Sequence, residues 1–227
     1  MRSIVFDIET GALPEAELEK SLPPFDPSEV KTGNMTDPRK IAAKIADAEA
    51  KHRRDYFERA ALDPLTGRVL AVGLLYPATS EFVVLGDDDE EEVLKKFWDR
   101  TLGEMGRVNQ MVGFNTHLFD LPFLIRRSYK HRVEVPFGIR RGRYWGQEMV
   151  DLREEWQLGD RQERGSLDSI AKYLGVGQKV GQGEDFALLW QKDREKAIAY
   201  LRNDLEVTTR IAEALRVIHI GAVAVDY

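Results

Sequence analysis

The chain has no cysteine among its 227 residues, which excludes disulfides and thiolate metal sites and permits a reducing interior. No apolar run approaches membrane-spanning length. The opening residues, Arg2-Ser-Ile-Val-Phe-Asp7, read directly as a strand and lack the layout of a signal peptide, so a cytoplasmic protein is expected. Excess positive charge is also missing, since 33 Lys and Arg face 39 Asp and Glu for a net −6. No internal repeat and no Gly-, Ser- or Pro-rich linker splits the chain. One domain over residues 1–227 is expected, with an inserted helical excursion at about 11–66. Hydrophobic content of 43% and charged content of 32% suit an ordinary globular fold with a substantial core.

Positive charge is nonetheless clustered, in Arg126-Arg127-Ser-Tyr-Lys130-His131-Arg132 and in Arg140-Arg141-Gly-Arg143. Local patches matter more than the total. Each cluster reads either as solvated helix and loop charge or as a patch for a polyanion, and the balance suits capture of a chain end better than long duplex DNA.

Along the chain, residues 3–8 form a short β-branched and aromatic run stopped by Gly11 and Pro14, which predicts a buried strand. Residues 11–36 read as irregular. A thinly apolar helix follows from Pro38 to Ala61, capped by Thr36 or Asp37. Strands are predicted at 68–76, 81–85, 109–114 and 144–152. The acidic run Asp87–Glu92 leads into a helix at 90–102, where the dipole favours negative charge. A helix from near Leu118 carries Asp120 in its first turn, and Ser166 caps another through Leu174. Gly175, Gly177, Gly181 and Gly183 predict a mobile loop, within which Lys179 could touch a phosphate. The last helix, 192–217, shows the stripe Ile198, Leu201, Leu205, Thr208, Ala212 and Leu215.

Four carboxylates in three separated segments carry the chemistry. Asp7 and Glu9 are two apart on a strand, so both point to one face. Two acids aimed the same way repel unless a cation or a proton intervenes. Tyr200 and Asp204 are four apart and share a helix face at the shoulder of the apolar stripe. Hard divalent cations take oxygen ligands, and phosphodiester cleavage needs charge neutralised on both attacking and leaving oxygens. Taken singly, each acid could equally be a solvated strand end or a helix-surface residue. Asp151, Asp168 and Glu206 are assigned to structure.

The order of these segments resembles the DEDD superfamily of 3′→5′ exonucleases. Asp7-Ile-Glu9-Thr10 matches its first motif and Asn115 with Phe119-Asp120 its second. Tyr200, four before Asp204, matches the third motif of the tyrosine (DEDDy) branch. Ser166-Leu-Asp-Ser-Ile-Ala-Lys-Tyr-Leu174 and Gly175 are similar to the segment between the second and third motifs. Over residues 3 to about 215 the chain is most like the proofreading exonuclease domain of family B DNA polymerases and stand-alone relatives. The stretch 11–66 is longer than that family's link. The resemblance implies an α/β ribonuclease H-like fold, a mixed sheet flanked by helices. It implies a hydrolase using two Mg²⁺ or Mn²⁺ ions on 3′ ends of single-stranded or frayed DNA, or RNA, as in proofreading or DNA repair. Asp7 would bridge the metals, Glu9 and Asp204 would complete the site of the attacking water, and Asp120 would support the second metal. Tyr200 would orient the water; Thr10 and Asn115 would fix the terminal nucleotide, and Leu13 and Phe119 would pack on its bases. Phe119 reads equally as a core residue. Two competing readings are a catalytically idle nucleic-acid-binding module and a phosphodiesterase on free nucleotides.

Overall fold

The computed structural model describes residues 3–105, 110–135, 148–160, 162, 165–180 and 186–218. The basic run Arg140–Arg143, the start of the strand expected at 144–152, Gly181, Gly183 and the tail beyond Ile218 lie outside them. In chain order the elements are β1 (Ser3–Ala12), α1 (Glu15–Ser21), α2 (Pro38–Arg59), β2 (Gly67–Tyr76), β3 (Glu81–Gly86), α3 (Glu90–Met105) and β4 (Gln110–Gly113). There follow α4 (Asp120–His131), β5 (Met149–Asp151), α5 (Leu152–Gln157), α6 (Leu167–Leu174), α7 (Phe186–Lys192) and α8 (Arg194–Ala214). Contacts divide the chain into two compact units, one of Met1–Thr10 with Val69–Tyr227 and one of Gly11–Arg68.

The sheet order is β3-β2-β1-β4-β5. β1 and β5 each run parallel to β4, and β2 pairs antiparallel with β3, so the sheet is mixed. β1 is buried on both faces over residues 4–6, which is why that part of it is an unbroken apolar run. Ile4, Phe6 and Ile8 pack with Val93, Phe97 and Trp98 of α3 and Leu121 and Leu124 of α4. Val5 joins the opposite layer with Ile170 of α6 and Leu201 and Leu205 of α8. Helix α8 lies close against β2, where a Cβ on Gly73 would stand 2.6 Å from Leu205 Cδ1. That approach requires glycine.

Several boundaries differ from the sequence expectation. β1 continues through Gly11 to Ala12, so Asp7 and Glu9 lie within the strand and not at its end. The final helix begins at Arg194 behind the N-cap Asp193, and Lys192 ends the unforeseen α7. The stripe read for α8 was too narrow, because Ala197, Tyr200, Asp204, Val207 and Ile211 are buried as well. The acidic run is not uniform. Glu91 and Glu92 are half-exposed in the first turn of α3, but Glu90 is buried there, accepting from Arg127 at 2.5 and 2.8 Å, from Val69 N at 2.7 Å and pairing with His131 at 2.8 Å. Arg127 and His131 are thereby spent on the core, which leaves Arg126, Lys130 and Arg132 exposed from the first basic cluster.

The Gly11–Arg68 unit has few buried residues, among them Leu18 and Ala60. The stretch read as irregular contains α1. Asp37 caps α2 by accepting from Arg39 N at 2.9 Å, and no residue of α2 is buried. Polar contacts hold it to α1: Arg53 pairs with Glu15 and Glu19, and the Tyr56 hydroxyl meets Ser21 at 2.9 Å.

Candidate metal centre

Strand parity sets the first half of the site. Asp7 and Glu9 are in phase with Val5 and therefore face the α8 layer. There Asp204 projects from the buried side of α8, and one carboxylate oxygen from each of Asp7, Glu9 and Asp204 lies within 4.8 Å of the others. Asp120 reaches the same place from the first turn of α4, where its Oδ1 accepts from Ile8 N at 3.1 Å. Its carboxyl lies beside that of Asp7, whose charge acts on it directly. Glu9, Asp120 and Asp204 are buried, and Asp7 keeps partial exposure.

Crowding acids in a desolvated place penalises their charged forms. Burial, and then the charge of Asp204, pushes Asp7 up to about 7. Glu9 is raised by burial and by Asp7, and Asp120 by burial and by Asp7. Burial raises Asp204 too, opposed by the Lys179 ammonium, whose Nζ stands 2.6 Å from Asp204 Oδ2. The same ammonium lies 5.5 Å from the Tyr200 ring centroid. Burial and Asp204 raise the Tyr200 phenol, which stays protonated at neutral pH. Two buried atoms here, Tyr200 Oη and Asp204 Oδ1, make no hydrogen bond.

These features fit a hard divalent cation. The donors are all carboxylate oxygens, the Lys179 ammonium offsets only part of their combined negative charge, and one buried acceptor is orphaned. Asp7, Glu9 and Asp204 could hold one ion, and Asp120 is placed to share Asp7 with a second.

A second group, His117, Asp151 and Glu154, also brings ligand atoms within 4.8 Å. Its donors are already engaged. Asp151 Oδ1 accepts from Asn115 N at 2.8 Å and Arg153 N at 2.9 Å, and Oδ2 from His117 N at 3.0 Å. His117 meets Glu154 Oε2 through Nδ1 at 2.9 Å and Met149 O through Nε2 at 3.2 Å. This group is a scaffold for the turn that leads into α4.

The expected substrate residues belong to different elements. Asn115 holds a left-handed conformation at φ 62° in that turn, and its Oδ1 accepts from Arg153 Nη1 at 2.8 Å. Thr10 follows Glu9 on β1 and by alternation faces the opposite side. Phe119 is half-buried, packed on the core and 5.6 Å from Phe123 ring to ring. Leu13 belongs to the Gly11–Arg68 unit, where its N–H donates to Thr66 O at 2.9 Å. Sequence reasoning missed the contact of Lys179 with Asp204 and the role of Arg153. No spacing rule connects either with its partner. Asp168 and Glu206 are structural in their contacts: Asp168 holds Lys172 and Lys179 N, and Glu206 pairs with Arg202 and Arg210.

Comparison with known proteins identifies the family. A family model described as "Predicted 3'-5' exonuclease related to the exonuclease domain of PolB" matches residues 68–210, a span that includes Asp120, Tyr200 and Asp204. DNA polymerase 2 of Aeropyrum pernix is 29% identical over 172 residues, covering 66% of this chain and 21% of that protein. The structure of the family B DNA polymerase from the hyperthermophilic archaeon Pyrobaculum calidifontis superposes with a TM-score of 0.63 at 19% identity, covering 95% of this chain and 24% of that one. The chain thus spans about a fifth to a quarter of these polymerases. With the family model matched over more than half of its length and the mixed, ribonuclease H-like sheet shared with a family B polymerase, the chain belongs to the family of predicted 3′-5′ exonucleases related to the exonuclease domain of PolB.

Proposed function

We propose that the chain is a divalent-metal-dependent 3′→5′ exonuclease that hydrolyses the terminal phosphodiester of single-stranded or frayed DNA, with RNA ends as a second substrate to test. The observation that carries this reading is the convergence of Asp7, Glu9 and Asp204 within 4.8 Å, with Asp120 beside Asp7. In this reading Asp7, Glu9 and Asp204 hold one Mg²⁺ or Mn²⁺, and Asp7 with Asp120 holds another. Such ions, when bound, supply charge neutralisation at the scissile phosphate and a water acidified toward neutrality. Tyr200 remains a neutral phenol and so acts as a hydrogen-bond donor that orients the attacking water, not as a base. Asn115, beside the turn into α4, and the half-exposed ring of Phe119 would contact the terminal nucleotide. Single-strand stacking of that kind is tolerant of base identity.

The test is a 5′-labelled single-stranded oligonucleotide incubated with Mn²⁺ or Mg²⁺, beside Asp7→Ala, Asp204→Ala and EDTA lanes. A ladder shortening from the 3′ end is expected with the wild type. Losing several kcal/mol of charge stabilisation should slow either variant by roughly a thousandfold. Intact DNA and RNA in every lane would overturn the proposal.

A further inference from the structure

Lys179 is the side chain the sequence explains least. It lies in a glycine-rich loop, yet the described part of that loop is pinned. Gly175 closes α6 in a left-handed conformation, Arg210 Nη1 donates to Val176 O at 3.2 Å, and the backbone N–H groups of Lys179 and Val180 donate to Asp168 Oδ1 at 3.1 Å and Asn203 Oδ1 at 3.0 Å. Those anchors on α6 and α8 aim the lysine at one place. Its Nζ sits 2.6 Å from Asp204 Oδ2, and its side chain is 28% exposed. Its positive charge favours the ionised forms of Asp7, Glu9 and Asp204 together. The two oxygens of Asp204 are therefore unlike: Oδ2 is held by the ammonium, and Oδ1 is buried without a partner.

From this geometry we infer that Lys179 is a built-in counter-cation of the metal-free site, which competes with divalent metal for Asp204 and so sets the metal concentration at which the site fills. The inference rests on the metal-site reading above and deepens it. Four converging acids without a cation would repel strongly in a desolvated place. One ammonium relieves part of that repulsion and holds the carboxylates together before metal arrives. When a divalent ion engages Asp204, the ammonium faces a like charge at short range. The flexible four-carbon stem lets the charged head move outward toward solvent while the backbone stays pinned by Asp168 and Asn203. Lys179 is in this sense a positioning residue for Asp204. A lysine that only supported the local fold would give the opposite sign on removal, because a loosened site binds metal less well.

The experiment titrates Mn²⁺ into the full chain without nucleic acid, at about pH 8.5 where proton competition for carboxylates is reduced. Calorimetry and thermal midpoints are recorded for the wild type, Lys179→Met, Lys179→Arg and Asp168→Asn. Lys179→Met should be less stable in EDTA yet bind Mn²⁺ on the order of ten-fold more tightly, the scale set by deleting one nearby unit charge. Lys179→Arg, which keeps the charge, should stay near wild type. Asp168→Asn weakens the anchor, since a neutral amide oxygen accepts less strongly than a carboxylate, and leaves the Lys179 charge in place; it should shift binding in the direction of Lys179→Met by less, so the test survives even if Lys179→Met fails to fold. Unchanged or weaker Mn²⁺ binding in both Lys179→Met and Asp168→Asn, with the wild type still binding, overturns the inference alone. Absence of any Mn²⁺ response in all four proteins overturns the metal-site reading and the inference with it.

Discussion

Asp7 carries the sharpest conflict between folding and function at the scale of a single side chain. In a metal-free protein its carboxyl titrates at about 7, raised from an ordinary 3.8 by burial and by Asp204. A carboxyl whose folded pKa is raised contributes stability that is fully present below the unfolded value and lost as pH climbs through the folded one. The metal-free protein should therefore lose stability between about pH 4 and pH 7 on this residue's account. Asp7→Asn removes the charge at nearly constant shape. In EDTA at pH 8 that variant should be more stable than the wild type by roughly 1–3 kcal/mol, with the gap closing toward pH 4. Thermal melts across pH measure it, and parallel curves for the two proteins would refute the argument. The site sacrifices stability for a place to bind a cation.

At the scale of elements, the turn between β4 and α4 shows how a local motif depends on a distant acid. Asn115 needs a left-handed backbone, and Asp151 stabilises it from the end of β5 by accepting N–H groups of Asn115, His117 and Arg153. Asp120 follows directly and opens α4. A Cβ on Gly113 would collide with Thr116 of the same turn and stand 3.0 Å from Phe6 O, so the turn sits tightly on β1. Asp151→Ala leaves several donors unpaired and should cost roughly 2–4 kcal/mol, read as a lower urea midpoint at unchanged slope. Exonuclease activity should fall with it, although Asp151 is not assigned to the metal. A loss under about 0.5 kcal/mol would mean that water replaces these bonds without penalty. Neither consequence is visible in the sequence near Asp151, where the acid is one of several tempting candidates.

For the whole molecule, the metal centre joins β1, α4 and α8, which come from the start, middle and end of the chain. A ligand that binds only the folded arrangement stabilises all three together. Mn²⁺ at about a hundred times its dissociation constant should add roughly 2.7 kcal/mol, reversed by EDTA and abolished in Asp204→Ala. A melting temperature indifferent to Mn²⁺ would deny the convergence its proposed purpose. The net charge of −6 is a formal count that includes Glu9, Asp120 and Asp204, buried acids whose ionised forms burial disfavours.

What the sequence by itself determined is whatever follows from local periodicity and capping. The two-residue repeat of a strand put Asp7 and Glu9 on one face, and the helical repeat put Tyr200 and Asp204 on another. Thr36 or Asp37, and Ser166, announced helices that Asp37 and Ser166 cap. The motif order then indicated the mixed α/β sheet. Tertiary structure alone decided how α7 packs, because its Phe186 meets Tyr200 of α8, a contact that no local period signals. It alone decided that Glu90, within a run of six acids, is buried against Arg127 and His131. It alone brought Lys179 to Asp204. Desolvation and charge act through space between segments far apart in the chain, so which acids are compensated and which await a cation appears only once the chain has folded.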